Sequence, residues 1–180
     1  MRIIAGAYRG KNLNAPASND VRPTSDRARE AVYNILTSKI DNDWENYSLL
    51  DVFAGTGAFG LEAISRGAKE VCLLDKDTAL AAKNASLFPK EQSKIKIVKA
   101  DALNLPVSHS KYDMVFLDAP YQRDMSAKAL EELKNKGWFQ KGALCIIELE
   151  KKEDFILPAN FEEVDNRKYG IARFIFAQVL

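Results

Sequence analysis

From Ser48 onward, short apolar runs alternate with amphipathic stretches in a strand, loop, helix rhythm. Leu49–Phe53 reads as a buried strand, and Leu61–Arg66 begins a helix that Gly67 ends. Val71–Leu74 is a second strand and Ala79–Phe88 a second helix. Ile95–Val98 and Met114–Leu117 follow as strands, Ala127–Lys136 as a helix and Ala143–Leu149 as a fifth strand. Short apolar runs separated by amphipathic helices predict a mostly parallel sheet covered on both faces. The ending differs: Phe161–Asn166 and Ile171–Val179 surround a Lys168-Tyr169-Gly170 turn, which predicts an antiparallel hairpin at one edge. The fold class is therefore α/β and Rossmann-like, with a seven-stranded sheet.

Ahead of this core the pattern is different. Residues 1–16 read as a small hairpin with its turn near Arg9-Gly10, and residues 17–23 as a loop. Thr24, Ser25 and Asp26 are helix-start residues, whose side-chain oxygens accept from unpaired first-turn amides. Ala28, Ala31, Val32, Ile35 and Leu36 then recur at helical spacing, with Arg27, Arg29 and Glu30 placed on the opposite face.

A length of 180 residues fits one domain spanning 1–180, with residues 1–23 as a basic N-terminal hairpin or arm. Hydrophobic residues make up 47% and charged residues 28%, the balance of a globular protein. Every apolar run is too short to cross a bilayer, and Gly6, Tyr8, Arg9 and Lys11 interrupt the Ile3-Ile4-Ala5 start before it can act as a signal peptide. A cytoplasmic protein with no membrane partner is expected. Cys72 and Cys145 lie in strand-like runs and His109 in a polar stretch, so two buried thiols, a loop histidine and no metal site are expected.

The net charge of +1 conceals an asymmetry. Residues 1–40 carry Arg2, Arg9, Lys11, Arg22, Arg27, Arg29 and Lys39 against Asp20, Asp26 and Glu30, a surplus of four positive charges. A basic segment on a slightly acidic body suits a polyanion. Arg2, Arg9, Lys11, Arg22, Arg27 and Arg29 are the candidate phosphate contacts.

The most informative stretch is Asp51-Val-Phe-Ala-Gly55-Thr-Gly57-Ala-Phe-Gly60, between the first core strand and a helix. Glycines there let the backbone turn tightly and approach a ligand, while the helix N-terminus offers free amides. The G-x-G-x-x-G spacing suits NAD as well as S-adenosylmethionine, and Asp75 at the end of the second strand is placed for a ribose diol in either case. Asp51 separates the two. Its carboxylate beneath the ligand opposes a pyrophosphate and attracts an amino-acid ammonium. Asp101, after the third strand, can accept from an adenine amine, and no basic residue lies inside the loop. These features favour S-adenosylmethionine.

Asp118-Ala119-Pro120-Tyr121 follows the fourth strand, at the carboxyl edge where open α/β sheets bind ligands. Methyl transfer to an exocyclic base amine requires both amine hydrogens to be held, so that the delocalised nitrogen lone pair turns toward the methyl. The Asp118 carboxylate and a carbonyl of Ala119 or Pro120 suit that task, and Tyr121 can stack on the base, a contact worth about 1–3 kcal/mol.

These residues together resemble a known family. Asp118-Ala-Pro-Tyr is similar to the Asp/Asn-Pro-Pro-Tyr/Phe motif of amino-methyltransferases acting on bases. Arg22-Pro-Thr-Ser-Asp-Arg-Ala-Arg-Glu-Ala-Val-Tyr-Asn-Ile-Leu36, the opening Arg2–Leu13 and the Asp51–Gly67 stretch resemble the RsmD-like 16S ribosomal RNA guanine-N2 methyltransferases. The likeness runs from about Arg2 to Glu148 and departs at Ala119, where the family motif has proline. That substitution keeps the acceptor carbonyl and loosens the loop.

The resemblance implies an S-adenosylmethionine-dependent methyltransferase fold and methylation of a guanine N2 amine, at guanine 966 of the small-subunit RNA. It implies Thr24, Asp51, Phe53, Ala54, Gly55, Thr56, Gly57, Asp75, Lys76, Asp101, Ala102 and Asp118 around the cofactor, and Asp118, Ala119, Pro120 and Tyr121 around the target amine. The Arg22–Glu30 segment would contact the methionine end and the RNA. The partner would be 16S ribosomal RNA or the assembled small subunit, met by a monomer. The competing expectations are an N6-adenine methyltransferase, an NAD-dependent oxidoreductase and a non-catalytic RNA-binding assembly module.

Overall fold

The computed structural model describes residues 1–16, 24–120 and 124–180; the expectations for the 17–23 loop, Arg22 and Tyr121 lie outside them. Among the described residues, four α-helices and seven strands follow in the order α1 Asp26–Lys39, β1 Ser48–Val52, α2 Ala58–Ser65, β2 Glu70–Asp75, α3 Ala79–Ala85, β3 Ile95–Lys99, β4 Tyr112–Leu117, α4 Met125–Asn135, β5 Phe139–Glu150, β6 Phe161–Tyr169 and β7 Ala172–Val179. The seven strands make one sheet in the order β3-β2-β1-β4-β5-β7-β6. The first five run parallel, and β7 lies antiparallel between β5 and β6.

The order reverses between β1 and β4, so the loops after these strands leave in opposite directions and open a crevice at their carboxyl ends. β1 is buried along its whole length, as expected of a central parallel strand. Its side chains divide between two cores: Leu49 faces the α1 and α2 side with Met114, Phe116 and Ile146, whereas Leu50 and Val52 face the α4 side with Val115, Leu117 and Ile147. Cys72 and Cys145 are buried free thiols in β2 and β5. No helix among the described residues is long and apolar enough to span a membrane.

α1 starts as its sequence predicts, with the Ser25 hydroxyl accepting from the Ala28 amide at 3.2 Å. The periodicity misplaces one residue. Arg29, assigned to the exposed face, is 1% exposed, because the buried stripe also takes in Tyr33 and the N-terminal segment covers that side.

That segment is the expected small hairpin: Arg2 bridges Asn12 antiparallel, and Lys11 N–H donates to the Tyr8 carbonyl at 3.0 Å across a turn at Arg9-Gly10. It docks on the core. The buried Glu62 carboxylate of α2 accepts the Ile4 and Ala5 amides at 2.8 and 3.0 Å, and the Ser65 carbonyl accepts Ala7 N–H at 2.7 Å. Gly6 passes so close to α2, at a φ of 81°, that a Cβ would lie 1.9 Å from the Ser65 carbonyl oxygen. Asn84 of α3 completes the attachment, accepting from the Asn14 amide and donating to the carbonyls of Asn14 and Thr56. The arm is therefore tied to two core helices beside the crevice.

Candidate active site

A cavity of about 770 Å³ opens at the carboxyl edge of β1, β2 and β4. Its floor begins at the β1–α2 turn. Phe53, Gly55 and Gly57 all have positive φ, which curls the chain back so that α2 points its N-terminus across the strand end. The three glycines divide the work. Gly55 lines the cavity and donates its amide to Asp75 Oδ2 at 2.8 Å. Gly57 and Gly60 lie behind, and a Cβ on either would come within 3.0 Å of Leu73, so they let α2 pack on β2.

Asp51, near the end of β1, is 2% exposed and lines the cavity. Its Oδ2 accepts the Gly60 amide at 2.9 Å. Burial pushes its carboxyl up to about 8 against the pull of that hydrogen bond, and the charge of Asp75 adds to the rise. Asp75 also accepts the Asp77 amide at 3.1 Å, which fixes its carboxylate on the cavity wall.

Of the residues that the resemblance implies around the cofactor, Thr24, Phe53, Ala54, Gly55, Thr56, Asp75, Lys76 and Ala102 line the cavity. Asp101 does not. Its carboxylate accepts the Leu103 amide at 2.9 Å and holds the Lys76 ammonium at 3.0 Å, and these bonds keep its carboxyl below the ordinary carboxylate range. Asp101 therefore reaches the cavity only through its partner Lys76, which lines it. Leu80 and Met125 also line the cavity without having been singled out in the sequence; as ordinary helix residues they carry no motif.

At the far wall, Asp118, Ala119 and Pro120 follow β4 into the same cavity. Asp118 and Glu148 are the next positions beyond the Leu117–Ile147 register pair, on the face that carries Phe116 and Ile146. Burial, then the charges of Glu148 and Asp51, raise Asp118 well above the ordinary carboxylate range. Glu148 itself rises to about 7 by burial, held back by the Thr24 hydroxyl that donates to its Oε2 at 2.5 Å and by the charge of Arg29. Glu148 went unnoticed in the sequence, although a lone charge inside the apolar Leu144–Leu149 run is the signal that marks it.

The basic residues separate into two groups. Arg9 and Arg27 are exposed, Lys11 is half-exposed over the Tyr8 ring, and Arg2 faces solvent beside Asp26 at 3.5 Å. Arg29, expected at the RNA, instead lines the cavity with a buried guanidinium and is withdrawn from that surface.

The residues present fit S-adenosylmethionine. The cavity lies in the range of small-molecule sites, it places a fixed carboxylate at the β2 end for a ribose diol, and a second carboxylate, Asp51, sits under the glycine turn for an ammonium. A dinucleotide fits poorly, because Asp51 already occupies the α2 amide that a pyrophosphate would need.

Fold and pocket together define the Rossmann-like methyltransferase class. The chain belongs to the family described as Conserved hypothetical protein 95, whose model matches residues 1–178, and to the RsmD-like group within it that the sequence resembles. It is similar to Ribosomal RNA small subunit methyltransferase D of Haemophilus influenzae, 32% identical over 97% of this chain and 91% of that one. The Escherichia coli K12 protein of the same name is 34% identical over 89% of this chain and 81% of its own length. The solved structure of Escherichia coli yhhF superimposes with a TM-score of 0.83 at 28% identity, covering 99% of this chain and 97% of that one.

Proposed function

We propose that this chain, acting as a monomer and without a metal, methylates the N2 amine of a guanine in 16S ribosomal RNA, at the position the family resemblance implies, guanine 966. The observation that carries this reading is the single cavity shared by the Gly55–Asp75 wall and the Asp118-Ala119-Pro120 segment. It supports the reading because the residues assigned to the donor and those assigned to the amine line one cavity at adjacent strand ends.

S-adenosylmethionine, when bound, supplies a methyl group made electrophilic by its sulfonium. Asp75 takes the ribose hydroxyls and Lys76 with Ala102 bounds the adenine side. Asp118 accepts one amine hydrogen and a carbonyl of the Ala119-Pro120 turn the other, leaving the nitrogen lone pair free to face the methyl. Positioning the two reacting atoms roughly 3–3.5 Å apart and in line is the main source of acceleration. Tyr121 stacks on the extruded base.

Arg2, Arg9, Lys11 and Arg27, together with Arg22, are the side chains assigned to RNA phosphates, contacts that offset the few kcal/mol that extruding a base costs. Neutralising Arg9, Lys11 and Arg27 together is expected to weaken binding to small-subunit RNA and flatten its salt dependence, with S-adenosylhomocysteine affinity unchanged. An unaltered salt slope would remove this surface from the proposal.

The direct test incubates the protein and methyl-labelled S-adenosylmethionine with small ribosomal subunits from cells lacking this gene, then digests the RNA. Label in N2-methylguanosine is the expected result. Label in N6-methyladenosine would overturn the base, and stabilisation by NAD in place of S-adenosylhomocysteine would overturn the donor.

A further inference from the structure

The β6–β7 hairpin lines no part of the cavity, yet its charges are sorted by position. Edge strand β6 carries Glu162 and Glu163 at its start and Arg167 and Lys168 near its end, all four exposed. β6 is antiparallel to β7, which is antiparallel to β5, so the basic end lies at the same carboxyl edge as the cavity and the acidic end at the opposite one. The register fixes how near. Glu148 pairs with Phe174 and Phe174 with Arg167, so Arg167 continues the row that passes through Asp118 and Glu148. Three strand spacings of about 4.8 Å put its backbone roughly 14 Å from that of Asp118.

One row further toward the edge, Lys168 stands directly across from Arg173. Like charges facing each other across a strand pair cost stability. Among the described residues neither is in an ion pair. The nearby acids are engaged elsewhere: Asp165 meets Arg167 at 3.0 Å, and Glu153 accepts the Glu150 amide at 3.2 Å. Arg173 gives its Nη2 to the Glu153 carbonyl at 2.7 Å, while its Nε is buried with no partner. A groove lined by Asn166, Arg167, Lys168, Tyr169 and Arg173 opens at this place. Two uncompensated cations and an unused donor beside a groove suit an anion lying between them. Because Arg167 and Lys168 are exposed along an open strand edge, an extended polyanion fits better than a small enclosed one.

We propose that the tip of the β6–β7 hairpin is a second RNA contact, where Arg167, Lys168 and Arg173 hold backbone phosphates of the strand that flanks the target base. This rests on the ribosomal RNA reading and deepens it. The N-terminal arm is anchored on the helices that follow β1 and β2, and the hairpin stands beyond β5, so the RNA is held from both sides of the crevice.

The test is co-sedimentation of the full chain with small ribosomal subunits from cells lacking this gene, over a potassium chloride series. Calorimetry with S-adenosylhomocysteine and gel filtration are run on the same samples. The double variant Arg167→Gln, Lys168→Gln is compared with Glu162→Gln, Glu163→Gln, which changes as much charge at the other end of the strand. Losing two phosphate contacts should reduce the log–log salt slope by about 1.5 and weaken binding about tenfold or more near 0.1 M salt. S-adenosylhomocysteine affinity should stay within about twofold, and the glutamate variant should keep the wild-type slope. A wild-type slope and affinity in the arginine–lysine variant would overturn the proposal and leave the RNA reading standing. Opposite and equal affinity changes in the two variants, with neither slope altered, would make net charge the cause and also overturn it. Self-association of the arginine–lysine variant with an unaltered slope would make these cations guards of an exposed sheet edge, again overturning it. Wild type that bound S-adenosylhomocysteine but not the subunits would overturn the ribosomal reading beneath it.

Discussion

Replacing Asp118 by Ala is expected to lower methyl transfer by at least about a hundredfold, the usual cost of losing one preorganised group that acts in the transition state, with S-adenosylhomocysteine still bound. The reason lies in what Asp118 is asked to hold. An exocyclic amine is planar because its lone pair is shared with the ring, and it becomes nucleophilic only if its hydrogens are fixed while the nitrogen pyramidalises. Asp118 sits half-buried at the end of β4, opposite the glycine turn, with its acid form favoured by burial and by Glu148 and Asp51. Approach of a sulfonium works against those two neighbours and favours the carboxylate. Asp118→Asn keeps an acceptor oxygen in the same shape, so it should lose less than Asp118→Ala, and the difference between the variants separates orientation from charge. Single-turnover assays on subunits, with cofactor binding measured in parallel, supply the comparison. Full activity in Asp118→Ala would remove the amine-holding role altogether.

How much of this site was readable in the sequence depends on whether a residue's role is local. The Asp51–Gly60 turn is a local device: strand, positive-φ glycines and helix start follow one another, so spacing alone located it. The same holds for Ser25 as a cap and for the hairpin around Tyr169-Gly170. Arg29 is the opposite case. Its helical phase adjoins the Ala28–Val32 stripe, and whether that flank faces water depends on the N-terminal arm, which docks through Glu62 and Ser65 more than fifty residues away. No periodicity carries that information. Strand β5 begins at Phe139, ahead of the apolar run at Ala143, because its first turns sit at the sheet's wet end with Gln140, Lys141 and Gly142 exposed. Asp101 shows a third kind of limit: its place after β3 was read correctly, but its Lys76 partner appears only when β2 and β3 are set side by side.

Asp51 should make the empty protein less stable as pH rises. Its carboxyl ordinarily ionises at 3.8 and in the fold near 8. Below pH 4 both states hold the proton and the group contributes nothing. Between about 4 and 8 the unfolded chain has released its proton while the folded one keeps it, so each pH unit costs roughly 1.4 kcal/mol, to about 4 kcal/mol at pH 7. Above 8 both are ionised and the penalty is constant. Asp51→Asn removes it and keeps an acceptor for the Gly60 amide, so urea denaturation should find the variant equal to wild type near pH 4 and more stable by a few kcal/mol at pH 8. Asp118 and Glu148 slope the same way, and the difference between the two proteins isolates Asp51. Ligand binding should invert the sign. A donor ammonium beside Asp51 draws off its proton, so S-adenosylhomocysteine should bind wild type more tightly as pH approaches 8, by up to tenfold per unit, and release a proton detectable by calorimetry in two buffers. Asp51→Asn should bind weakly at every pH. A pH-independent affinity in wild type would mean that the carboxylate keeps its proton when the site fills, and that Asp51 supports the turn without meeting the ammonium.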